Sequence, residues 1–170
     1  MENLKDILKS KKKPKEKTAL LLSRVGEDEA LLNKIVTCFK SGSVAEKGTC
    51  MEVMEAISKD KPEWIAPFLD FAIDNLDEKA PRVQWESARV IANLASRYPD
   101  KIAKAVPKLL AKTKEEGTVL RWSVALALSE IAKANPKLQK ELIPKMHQIA
   151  QDEENNGVKK IYLKALKILG

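Results

Sequence analysis

At 170 residues, with 44% apolar, 32% charged and only 5% aromatic residues, the chain is sized for one domain or a short array of repeats, and its core needs no disulfide or metal staple. The formal charge of +7 is compatible with nucleic acid, an acidic protein or an anionic surface and selects none of them. Two cysteines, Cys38 and Cys50, exclude a secreted disulfide framework and make reduced thiols the expectation; a bridge is expected only in a hot-adapted cytosol, at which the Lys-rich, Gln-poor composition hints.

The first residues, MENLKDILKSKKK, carry Glu2 and Asp6 and lack the long apolar run of a signal peptide. They predict a helix over 2–9. Helices over 15–25 and 28–40 follow, separated at Pro14 and Gly26. Seven more are expected at 44–58, 62–76, 82–97, 100–114, 119–134, 137–151 and 158–169, and no stretch reads as a strand. No apolar run is long enough to span a membrane, so a cytoplasmic location is expected.

The later helices repeat. QWESARVIANLASRYP (84–99) holds Trp85 and Pro99, and RWSVALALSEIAKANP (121–136) holds Trp122 and Pro136 at the same spacing, 37 residues on. Val83, Ser87, Ile91 and Leu94 fall on Leu120, Val124, Leu128 and Ile131, then on Val158, Tyr162, Leu166 and Leu169. Steps of 4, 4 and 3 trace one stripe of a 3.6-residue helix. A second column, Met51, Ala88, Ala125 and Leu163, lies about 100° round, so these helices are apolar on two faces. Pro62, Pro99 and Pro136 sit where a second helix starts, a position at which the missing N–H is harmless. Asp60 and Asn135 are expected N-caps, as are Ser43 and Thr118; Tyr98 is a poor one. Gly42, Gly117 and Gly157 are expected to close helices.

Tandem helix pairs of this length resemble the HEAT family and its armadillo relatives. RVQWESARVIANLA (82–95), VLRWSVALALSEIA (119–132) and GVKKIYLKALKIL (157–169) carry the resemblance. Leu120-Arg121 and Val158-Lys159 match the family's branched-then-basic pair; Val83-Gln84 lacks the base, and Glu46-Lys47 departs most. An armadillo unit has a third short helix, for which these repeats leave no room. The resemblance implies an all-α, right-handed α-α superhelix, a HEAT-like solenoid of about ten helices, or roughly four pairs plus terminal cap helices. One domain over 1–170 is expected: a divergent cap and first repeat at 1–43, repeats at 44–79, 80–117 and 118–156, and a half-repeat cap at 157–170. The resemblance also implies that second helices line a concave binding face, with no particular chemistry.

Candidates for chemistry are few. His147 stands alone, without a Cys or His at ligand spacing, so neither metal nor cofactor is expected. The six glycines form no phosphate loop. Asp77-Glu78, Glu115-Glu116 and Asp152-Glu153-Glu154 fall at turns, where a solvated turn accounts for them. Trp85-Glu86 and Arg121-Trp122 are the residue types with which HEAT-like DNA glycosylases hold an alkylated base. Both tryptophans, however, fall on the face expected between repeats, where equivalent side chains stack as core.

Charge is more informative. Lys101, Lys104, Lys108 and Lys112 form a basic stripe on one second helix, and Asp70 and Asp74 an acidic stripe on another. Two readings remain: docking sites for an acidic and a basic element of a partner, or the ordinary wet faces of amphipathic helices. KSKKKPKEK (9–17) adds Lys11, Lys12 and Lys13, which suit phosphate contacts that are salt-sensitive and blind to sequence. Lys160, Lys164 and Lys167 provide the polar outer side of a terminal cap. The leading expectation is a non-enzymatic protein- or peptide-binding scaffold, monomeric or weakly self-associating. Electrostatic nucleic-acid binding is second, and base excision a distant third.

Overall fold

The structure, a computed structural model, describes residues 3–170; Glu2, with which the first expected helix begins, lies outside them. Among the described residues every regular element is helical, and the ten expected helical segments are all present. The chain divides into two compact units, the first ending at Ile65 and the second spanning Ala66–Gly170.

The first unit contains α1 (Leu4–Lys9), α2 (Pro14–Val25), α3 (Leu31–Ser41), α4 (Val44–Asp60) and α5 (Pro62–Ile65). Its starts are local chemistry. The Asn3 side chain accepts the Asp6 N–H. Ser43 and Glu46 exchange side chain-to-backbone hydrogen bonds across the first turn of α4, at 3.2 Å each. Gly42 follows α3 as its C-cap, at a position where a Cβ would lie 2.8 Å from the Cys38 carbonyl oxygen. Leu21, Val25, Leu32 and Ile35 are fully buried, as are Met51 and Met54. The Lys61 ammonium ties the end of α4 to the end of α2, donating to the Gly26 carbonyl at 2.6 Å while lying over the Trp64 ring. Asp60 is not an N-cap: α4 runs through it. Ser43→Ala should destabilise this unit by about 1 kcal/mol in denaturant melts, since it leaves the Glu46 N–H uncapped.

The second unit opens with a 3-10 turn at Ala66–Phe68, α6 (Leu69–Asp74) and a second 3-10 turn at Asn75–Asp77. α7 (Pro81–Leu94), α8 (Pro99–Ile102), a 3-10 turn at Ala103–Ala105 and α9 (Val106–Leu110) follow. α10 (Thr118–Ala134), α11 (Pro136–Asp152) and α12 (Asn156–Leu169) complete it. The expected helices at 62–76 and 100–114 are therefore broken. Pro107 supplies a reason for the second break. Without an N–H it cannot bond the Ala103 carbonyl, which accepts instead from the Val106 N–H in a 3-10 geometry.

α7, α10 and α12 pack successively side by side, and α11 closes on α10 and α12. The repeated stripe is the core of this layer. Val83, Ser87, Ile91 and Leu94 are fully buried, Leu120, Val124, Leu128 and Ile131 nearly so, and Tyr162 is 1% exposed. In the second column Ala88 and Ala125 are buried, but Leu163 is 49% exposed on α12. Asn135 caps α11 through the Lys137 N–H, and its amide donates to the Pro99 carbonyl, joining α11 to the start of α8. Thr118 is not a cap; it is the first residue of α10. Gly157 does not end α11 but lies in the first turn of α12, which Asn155 caps.

Candidate functional site

The charged stripes meet in the second unit. Asp70 and Asp74 lie on α6, with Asp77 in the turn beyond; Lys101 is on α8, Lys104 in the 3-10 turn and Lys108 on α9. Thirty-four residues separate Asp70 from Lys104, nearly one repeat, so the two stripes face each other. The Lys104 ammonium donates to Asp70 at 2.8 Å. Lys108 reaches Asp77 at 2.6 Å and Asp74 at 3.9 Å. Lys101 and Lys112, at the two ends of the row, make no salt bridge with the described residues. The outcome is a ladder of surface ion pairs rather than two separate fields.

The ladder is wet. The side chains of Asp70 and Asp74 are 78% and 80% exposed, which screens the pairs heavily. The Lys104 hydrogen bond, then its charge and that of Lys101, hold the Asp70 carboxyl below its ordinary range. Lys104→Ala should therefore raise the Asp70 titration midpoint, followed by carboxyl NMR, while leaving the melting temperature essentially unchanged. The sign follows from the depressed value. The small stabilisation from the pair is present above the unfolded-state pKa and lost as pH falls through the folded one.

A second ionic element is built differently. Arg121, in the first turns of α10, donates through Nε and Nη2 to both carboxylate oxygens of Glu153, at 3.1 and 3.2 Å. Its Nη1 donates to the Glu115 and Glu116 carbonyls at 2.9 Å. One guanidinium thus clamps the loop before α10 to the turn after α11. The Glu153 side chain is 4% exposed and also accepts the Asn155 N–H at 3.0 Å. Burial alone would raise its pKa. The Arg121 hydrogen bonds, the Asn155 N–H and the charges of Arg121 and Lys159 outweigh burial and hold it down. The expected solvated turn at Asp152-Glu153-Glu154 is thereby corrected at its middle residue. Nothing local distinguishes Glu153 from its neighbours in the sequence.

The tryptophans do not stack as core. Trp122 is 37% exposed with the Arg89 guanidinium over its ring at 5.2 Å, and Trp85 is half-buried. The Trp85 indole donates to Glu86 at 3.1 Å, and Arg89 donates to Ser123, stitching α7 to α10.

Lys11, Lys12 and Lys13 are exposed in the turn between α1 and α2. Cys38 and Cys50 are free thiols. Burial, then the neighbouring Cys38 and Glu46, push Cys50 up to about 12, so it stays protonated and unreactive. Burial likewise raises Cys38. Among the described residues no group of three His, Cys, Asp or Glu could hold a metal, and no helix is long and apolar enough to cross a membrane.

No protein-family model and no curated protein matches the chain. Solved structures do. A designed armadillo repeat protein, YIII(Dq)4CqI, superposes with a TM-score of 0.72 at 18% identity, covering 98% of this chain and 81% of that one. An engineered protein from the Northeast Structural Genomics Consortium gives 0.68 at 20% identity, covering 96% and 76%. At these identities the likeness concerns architecture: the chain has an armadillo-like helical-repeat fold.

Proposed function

We propose that the chain is a non-enzymatic interaction scaffold that holds a protein or peptide against the second-helix face of its second unit. The supporting observation is the ion-pair ladder. Its three carboxylates and Lys104 are highly exposed and Lys108 is half-buried, so a partner's charged groups can exchange for most of them with little desolvation cost, and Lys101 and Lys112 flank it without salt bridges to the described residues. An acidic element would meet Lys101, Lys104, Lys108 and Lys112, and a basic one Asp70 and Asp74. Alternating charge specifies the register of an extended partner better than a field of one sign. Affinity capture from native extract, read by mass spectrometry, tests this with Lys101→Glu/Lys112→Glu, which removes none of the ladder's ion-pairing side chains. The variant should lose the captured partner; undiminished capture of every partner would refute the assignment.

A second reading, sequence-blind nucleic-acid binding, draws on Lys11, Lys12 and Lys13, three consecutive exposed lysines. It is weakened because Lys104 and Lys108 already face carboxylates. A gel shift over a salt series should show no retardation, even at low salt, if the scaffold reading is right.

A further inference from the structure

Beyond the ladder, the end of α9 and the end of α11 border an open cleft of about 670 Å3. Its apolar surface comes from Leu110 on one side and Ile149 on the other, both half-buried. Exposed carboxylates stand on both sides as well: Glu115 and Glu116 in the loop after α9, and Asp152 and Glu154 at the end of α11. The bases nearby do not balance them. Arg121 is consumed by Glu153 and two carbonyls, and Lys145 pairs with Glu141 at 3.0 Å. Lys114 alone, among the described lining residues, is left to offset four carboxylates. A chain of charge +7 thus presents a locally acidic groove with an aliphatic interior.

We propose that this cleft seats a short basic segment of a partner protein, an extended stretch in which one aliphatic side chain lies between lysines or arginines. The proposal rests on the scaffold reading and adds a second docking element with its own chemistry. Apolar walls with acids on both flanks match that pattern: the aliphatic residue enters between Leu110 and Ile149, and the flanking cations meet the rim. The Arg121–Glu153 clamp holds both sides in place before anything binds, which lowers the ordering cost of association. Phosphates and acidic peptides would meet like charge here.

Fluorescence anisotropy on the full chain tests this with a labelled Lys-Lys-Leu-Lys-Lys peptide. A Lys-Lys-Ser-Lys-Lys peptide and an acidic Glu-Glu-Leu-Glu-Glu peptide are the comparators. The leucine probe should bind saturably, roughly fivefold more tightly than the serine probe, and the acidic probe should not bind. Glu115→Lys/Glu116→Lys, at exposed side chains, should weaken the leucine probe by about tenfold or more. Ile149→Ser, checked for an unchanged helical melt, should reduce it to the affinity of the serine probe. Lys101→Glu/Lys112→Glu should not weaken it. No binding of the leucine probe, or binding indifferent to both cleft variants, would overturn the proposal. Because the scaffold reading is tested by partner capture through Lys101 and Lys112, failure of the cleft proposal is distinguishable from failure of that reading.

Discussion

Arg121→Ala is expected to lower the stability of the second unit by about 3 kcal/mol. The variant strands the Glu153 carboxylate, 4% exposed, with the Asn155 N–H as its remaining short hydrogen bond among the described residues, and frees the Glu115 and Glu116 carbonyls from their clamp. A buried charge without its partner costs far more than the pair contributes relative to an apolar replacement. Arg121→Met/Glu153→Leu should therefore recover most of the loss in chemical denaturation. A melt of Arg121→Ala indistinguishable from the parent would mean that the clamp contributes nothing net.

The same pair sets an acid limit. The folded-state pKa of Glu153 is depressed, so its stabilisation is fully present above the unfolded-state value and disappears as pH falls through the folded one. Stability of the parent should decline on acidification below the ordinary carboxylate range. Glu153→Gln should flatten that part of the profile while lowering stability at neutral pH.

Leu128→Ala should cost about 3–5 kcal/mol, lowering the thermal midpoint by roughly 10 °C. Leu128 is 0% exposed in the middle of the stripe that joins α7, α10 and α12, and the neighbouring positions Val124 and Ile131 are as closely packed. Helices held on two sides have little freedom to collapse into the cavity. Leu163→Ala, in the second column on α12, should cost under about 1 kcal/mol, because Leu163 is 49% exposed. A similar loss for both would show that the two columns do not differ as core.

The contrast between these residues marks how far local pattern reaches. The steps of the apolar stripe placed Leu128, Ile91 and Tyr162 inside without reference to any partner, because side-chain direction on a helix follows from its 3.6-residue period. Proline and capping side chains set most helix starts for the same reason: each acts through backbone groups within four residues. Pro107 was visible too, but whether a mid-helix proline breaks its helix depends on packing, and α11 continues unbroken through Pro144.

Sequence alone determined the helical class, the repeat period, the apolar spine and the membership of the two charged stripes. It could not determine what those stripes face. Asp70 and Lys104 are 34 residues apart, and Arg121 and Glu153 are 32 apart. Whether such groups meet depends on how one repeat settles on the next, to within the few ångströms over which a hydrogen bond or an ion pair forms. Tertiary packing therefore decided that the acidic and basic stripes neutralise one another, that Glu153 is buried in an apparently solvated turn, and that an acidic cleft opens between Leu110 and Ile149.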